Sequence, residues 1–284
     1  MRGGGIRVLR TIIARRAGFC FGVRRAVEAA RSAAPAYTLG PVIHNPRVVA
    51  ELAALGVLSA DTPEAIPEGA RAVVRSHGVG RDTLSRLEKR AGQVCDATCP
   101  FVARIHDMAR EAESAGLPLI VVGEERHPEV EGIRGWTNCQ SYAVADEAAA
   151  MALPAMERAL VVSQTTFIAE RFESVCAAIR ARVREAQVRK TICPATRDRQ
   201  QEAVRLAQSA DVMLVVGGRE SSNSRKLFEL VGKVCPRSHF IEDAREIENT
   251  WFHPADLVGI TAGASTPDCT IKEVAARMND IEKQ

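Results

Sequence analysis

Ile192-Cys193-Pro194-Ala195-Thr196 is one of three stretches in which a cysteine ends an apolar segment and a helical pattern begins at once. The other two are Gly18-Phe19-Cys20-Phe21-Gly22 and Asp96-Ala97-Thr98-Cys99-Pro100. After each cysteine the chain reads helix, β-rich run and polar loop, then a second apolar run and a second polar loop. The first loops carry His44, His127 and Ser221; the second carry His77, Thr165 and Ser265. Pro100 and Pro194 suit the first turn of a helix. A cysteine placed there sets its sulfur at the positive end of the helix dipole. Three cysteines and six polar loops in register predict three similar lobes, each aiming one thiolate and two loops at a common centre.

The pattern outward from these stretches is that of parallel α/β sheets. Apolar, β-rich runs over 6–14, 37–39, 70–75, 94–95, 117–122, 160–162, 212–216 and 257–260 read as strands. Helical patterns lie between them, among them 23–33, 81–90, 100–115, 194–208 and 225–231, with Pro46 and Pro128 at further helix starts. Strands alternating with helices imply open parallel sheets, and ligands of such sheets collect at the carboxyl ends of the strands. The expected fold is three similar open-sheet α/β lobes in a pseudo-threefold arrangement, with lobes at 1–98, 99–192 and 193–284 and the cysteines at the seams.

The totals exclude several classes. The 284 residues suffice for two or three domains. Apolar residues make up 46% and charged residues 26%, the mixture of an ordinary globular protein. A net charge of +3 spread over helical patterns, with two Trp and two Tyr, is no nucleic-acid surface. No apolar run approaches the roughly 18 residues of a membrane span. The start, Met1-Arg2-Gly3-Gly4-Gly5, lacks the apolar core of a signal peptide, so the expected compartment is the cytoplasm. Eight cysteines there read as thiols, metal ligands or catalytic groups rather than disulfides. Cys139, Cys176, Cys235 and Cys269 read as small hydrophobes, and Cys95 as a strand residue turned away from Cys99.

Three thiolates at one centre suit a metal. Zinc would favour a C-x-x-C pair, which is missing. Iron–sulfur clusters are held by thiolates, and three on a 4Fe–4S cluster leave one iron open as a Lewis acid. That open iron lacks a protein thiolate, so loss to a 3Fe–4S form is expected. His44, His77 and His127, with Ser221, Ser222, Asn223 and Ser265, provide donors beside helix N-termini, the makings of an anion site; part of the serine run also reads as a plain helix cap. Glu129, two residues after His127, reads either as a first-turn carboxylate favoured by the dipole or as a proton donor in a closed cavity. There is no P-loop and no dinucleotide fingerprint.

Nine stretches together resemble the 4-hydroxy-3-methylbut-2-enyl diphosphate reductases, which catalyse the last step of the non-mevalonate isoprenoid pathway. They are 17–23, Ile43-His44-Asn45, Ser76-His77-Gly78-Val79, 96–100, 127–132, Gln164-Thr165-Thr166, 192–196, Ser221-Ser222-Asn223-Ser224 and 261–265. The resemblance implies a 4Fe–4S cluster on Cys20, Cys99 and Cys193, with the substrate's allylic hydroxyl at the fourth iron. It implies a diphosphate held by His44, His77, His127, Ser221, Ser222, Asn223 and Ser265. Glu129 would supply a proton and Thr165 would orient the substrate hydroxyl or the donor. Electrons would come from a small carrier such as a ferredoxin or flavodoxin. Two other readings stay open on the residues alone: a non-redox 4Fe–4S hydro-lyase, and a cluster-bearing sensor without activity.

Overall fold

The computed structural model describes residues 9–283. Gly3–Gly5 and the first residues of the strand expected over 6–14 lie outside them. The chain runs β1 (Arg10–Ile13), α1 (Phe21–Ala33), β2 (Ala36–Leu39), α2 (Pro46–Ala54), β3 (Val57–Ala60), β4 (Arg71–Val74), α3 (Arg81–Arg90) and β5 (Gln93–Asp96). It continues with α4 (Pro100–Ser114), β6 (Leu119–Val122), α5 (Pro128–Arg134), β7 (Ser141–Val144), α6 (Glu147–Met151), β8 (Met156–Ser163), α7 (Ala169–Arg180) and β9 (Val183–Val188). It ends with α8 (Pro194–Ser209), β10 (Val212–Val216), α9 (Ser222–Gly232), β11 (Ser238–Ile241), β12 (Leu257–Ala262) and α10 (Asp268–Glu282).

These strands form three four-stranded sheets, ordered β3-β2-β4-β5, β7-β6-β8-β9 and β11-β10-β12-β1. Every pairing is parallel. Within each sheet the first two strands in space are the second and first in sequence, and the third follows; only the occupant of the fourth place differs. In the last sheet that place is taken by β1, whose Arg10–Ile13 pair with Leu257–Ile260. β1 lies within the expected lobe 1–98 in sequence and within the sheet of β10, β11 and β12 in space. It completes that sheet, because β12 would otherwise present an unpaired edge.

Helices cover the sheets on apolar faces. The strands β6 and β10 are buried along their whole lengths, as in sheets covered on both sides. Full burial of each Val, Ile or Leu there stabilises by about 1.5–3 kcal/mol. The chain divides into two compact units. The middle unit holds Phe21–Ile43 and Arg47–Pro194, with the β2–β5 and β6–β9 sheets; the other holds Cys20, His44–Pro46 and everything from Ala195, with the β10–β12 sheet. Among the described residues no helix is long and apolar enough to cross a membrane.

Candidate active site

Six strands occupy the interior of the three sheets, and all six polar loops follow them. His44, His127 and Ser221 come after β2, β6 and β10; His77, Thr165 and Ser265 come after β4, β8 and β12. Each pair of loops therefore flanks the point where strand order reverses, the place at which ligands of open α/β sheets bind. The three cysteines each follow the fourth strand and immediately precede a helix, α1, α4 or α8. Their backbones share one tie. Cys20 N donates to Ala264 O at 3.3 Å, Cys99 N to Ser76 O at 3.0 Å and Cys193 N to Thr165 O at 3.1 Å. Each cysteine is thus fastened to the loop of its sheet's neighbouring interior strand.

In the middle unit, Glu129 is 1% exposed. Its Oε1 accepts from Thr165 N at 2.5 Å and its Oε2 from the Thr165 hydroxyl at 2.8 Å. His127 caps α5, its Nδ1 accepting from Glu129 N at 3.1 Å. With Nδ1 used as acceptor, the ring's proton sits on Nε2. The His77 ring stands edge-on to His127, centroids 5.4 Å apart. Cys99 is the N-cap residue of α4, with Pro100 at the first helical position. A Cβ on Gly22 would lie 2.5 Å from Cys99 Sγ, so glycine there keeps room for the sulfur. Beneath His77, Gly78 has φ +70° and rests on the His106 ring. His106 stacks on Trp136, and burial pushes its pKa down to about 4.

In the other unit, Ser221 caps α9 by accepting from Ser224 N, and Ser265 Oγ donates to Ser221 Oγ at 3.1 Å. The helix expected over 225–231 begins earlier, at Ser222, so the serine run forms its first turn. Ser222 Oγ accepts from Lys226 Nζ at 2.9 Å. Ser221, Ser222, Asn223 and Ser265 are all buried, and Asn223 Nδ2 and Ser224 Oγ have no hydrogen-bond partner among the described residues. Buried donors without partners at a helix N-terminus are the arrangement an anion satisfies. His44 is half-buried, and Gly218 packs on its carbonyl, where a Cβ would come within 2.3 Å.

Sequence patterns gave Lys226 and Gln164 no role. Lys226, one turn after Ser222, brings a buried positive charge to the α9 loop. Gln164 is fully buried and receives Glu124 N at 3.2 Å. The i, i+4 spacing of Ser222 and Lys226 is a local signal that points to their contact.

Cys20, Cys99 and Cys193 are half-buried. Cys176 and Cys235 are buried as expected of small hydrophobes; burial raises the Cys176 pKa to about 11. Among the described residues, no three His, Cys, Asp or Glu side chains form the shell of a single metal ion. The donor chemistry, three cysteine sulfurs at helix starts with space kept at Cys99, fits an iron–sulfur cluster.

The family described as LytB protein matches residues 11–279. The 4-hydroxy-3-methylbut-2-enyl diphosphate reductase of Citrifermentans bemidjiense is 41% identical over 279 residues, covering 97% of this chain and 99% of the relative. That of Caldanaerobacter subterraneus subsp. tengcongensis is 39% identical, covering 95% and 97%. A solved structure of (E)-4-hydroxy-3-methyl-but-2-enyl diphosphate reductase, described as the terminal enzyme of the non-mevalonate pathway, is 38% identical with a TM-score of 0.68, covering 96% and 99%. The Plasmodium falciparum reductase shares the fold at a TM-score of 0.87 and 22% identity, covering 96% and 88%. With this agreement running through nearly the whole length of both chains, the protein belongs to the LytB protein family.

Proposed function

We propose that the protein reduces 4-hydroxy-3-methylbut-2-enyl diphosphate to isopentenyl diphosphate and dimethylallyl diphosphate in the cytoplasm. Two electrons and two protons enter, and the allylic hydroxyl leaves as water. Cys20, Cys99 and Cys193 would hold a 4Fe–4S cluster. When bound, the cluster supplies the two electrons one at a time, from a ferredoxin or flavodoxin, and an open iron for the substrate's hydroxyl.

The chain's own residues do the rest. His44, His77, His127, Ser221, Ser222, Asn223 and Ser265 bind the diphosphate, with Asn223 Nδ2 as a donor already stripped of water and in need of an acceptor. Glu129 orients Thr165 through both its amide and its hydroxyl. With the Thr165 hydroxyl turned toward Oε2, its lone pairs face away from the carboxyl and meet the substrate's hydroxyl. Delivery of a proton reverses this line: a protonated Glu129 Oε2 donates to Thr165 Oγ1, whose own hydrogen turns to the leaving hydroxyl.

The observation that carries this reading is the repeated amide tie at Cys20, Cys99 and Cys193, which fastens each thiol to a loop of the proposed substrate site. Anaerobic turnover of the diphosphate with reduced methyl viologen tests it. Wild type reconstituted with iron and sulfide should oxidise the dye and form both five-carbon diphosphates, while Cys193→Ser should do neither. Turnover of an anionic hydroxy substrate without any electron donor would favour a hydro-lyase. A full cluster with no turnover would favour a sensor.

A further inference from the structure

The segment leading to Cys20 is gripped by α8, the helix that opens immediately after Cys193. Arg199, 4% exposed, donates through Nη1 to Arg16 O and, at 2.8 Å, to Ala262 O. Through Nη2 it donates to Gly18 O at 2.8 Å. Along the same helix, Glu202 accepts from Arg15 N at 3.0 Å and Arg16 N at 2.7 Å. Gly18 has φ +97°, and a Cβ there would meet Asp268 Oδ1 at 3.0 Å, so this turn has little slack. The middle unit repeats the device. Arg25 of α1, the helix opening after Cys20, donates to Thr98 O at 2.8 Å and Asp96 O at 3.0 Å, just before Cys99. In both cases an arginine on the helix opened by one cysteine holds the turn of another.

Burying a guanidinium carries a large desolvation cost. At Arg199 that cost is offset by charge-assisted bonds to three carbonyls from two segments, which the planar fork fixes in one geometry. An apolar residue would fill the space without fixing the carbonyls or supplying the charge. We propose that Arg199 is a positioning residue for Cys20: it holds the 16–18 turn so that the sulfur can serve an iron–sulfur cluster, and it lends that cluster a fixed positive charge. The second half rests on the reading of Cys20 as a cluster ligand.

The test compares wild type, Arg199→Gln and Arg199→Lys. Hydrogen exchange is read on the apo protein, and iron release to a chelator and the midpoint potential on the loaded protein. Arg199→Gln should speed exchange at residues 15–20 at least tenfold while β10 stays protected. It should release iron several-fold faster and lower the potential, since a lost nearby positive charge disfavours the reduced cluster. Arg199→Lys should restore the potential but only part of the protection, because an ammonium keeps the charge without the fork. Unchanged exchange at 15–20 overturns the positioning role. Faster exchange with wild-type iron release and potential overturns the link to the cluster. Should Arg199→Gln not fold, Glu202→Ala, which frees the amides of Arg15 and Arg16, must loosen the same segment and speed iron release; failure to do either overturns the proposal. A wild type that takes up no cluster sinks the functional reading, and the exchange measurement still decides the positioning role.

Discussion

A glutamine at 129 would keep an acceptor for Thr165 N but turn an NH2 group toward the Thr165 hydroxyl, which now donates to Oε2. The hydroxyl would have to rotate, and the proton source would be gone. Glu129→Gln should therefore keep wild-type iron content and lose turnover by about 10²–10⁴-fold, the usual range for a general acid. Parallel iron analysis and anaerobic kinetics check this, and near-normal rates would remove Glu129 from the proton path. His106 makes a different prediction. Its folded pKa of about 4 lies below the ordinary 6.5, so the unfolded chain binds more protons between those values. Its contribution is complete above pH 6.5 and fades as the pH falls toward 4, by about 3 kcal/mol in all. In His106→Phe, the fall in urea-unfolding free energy from pH 7 to pH 4 should be smaller than in wild type by about that amount; an identical slope would refute it. The histidines and serines of these loops stand out in the sequence because the loops recur in the same order after each cysteine. Arg199, Gly22 and His106 are not, since each acts on a segment distant in the chain and nothing beside it marks the partner.

At the scale of elements, sequence and structure agree on the interior strands and part at the edges. All six interior strands read as apolar runs, as Val212–Val216 and Leu119–Val122 do. β3, β7, β9 and β11 were not legible. Val-Arg-Glu-Ala-Gln-Val in β9 and Ser-His-Phe-Ile in β11 are half-exposed, and their mixed polarity is what a sheet edge facing water allows. Alternation over four residues is too short to tell from a loop. The start of α9 shows how tightly the interior loops close on a helix. A Cβ on Gly263 would lie 2.0 Å from Ser224 Oγ, whereas one on Gly232, at the far end of the same helix, would meet nothing within 4 Å. Gly263→Ala should cost about 1–3 kcal/mol through overpacking and weaken substrate binding. Gly232→Ala should be neutral or stabilise by up to about 1 kcal/mol. Thermal unfolding of the two variants side by side checks the contrast; equal effects would mean that α9 is not pinned at its N-terminal end.

At the scale of the whole molecule, the repeat of three sheets was legible and its phase was not. The sequence repeats from cysteine to cysteine, so the first 98 residues read as one lobe; the sheets repeat from strand to strand, and β1 falls into the last of them. The pairing of Arg10–Ile13 with Leu257–Ile260 has no local sign, because parallel pairing is set by edge availability rather than by a turn. Deleting residues 1–14 should strip β12 of its neighbour. Exchange protection should then fall in β12 while the β2–β5 and β6–β9 sheets keep theirs. Unaltered protection in β12 would mean that β1 adds nothing to its sheet.

That same pairing puts its two strands under different clocks. Synthesis delivers β1 well before β12, so Ile12 and Ile13 leave the ribosome with no strand to join. The β2–β5 and β6–β9 sheets can each close as soon as their own fourth strand emerges. The remaining sheet waits for β12, and its closing contact is among the most distant in sequence of those described, the slowest kind to form. Until then the turn bearing Cys20 hangs on an unanchored strand, so the first of the three thiols to be synthesised is held back from its place until β12 emerges.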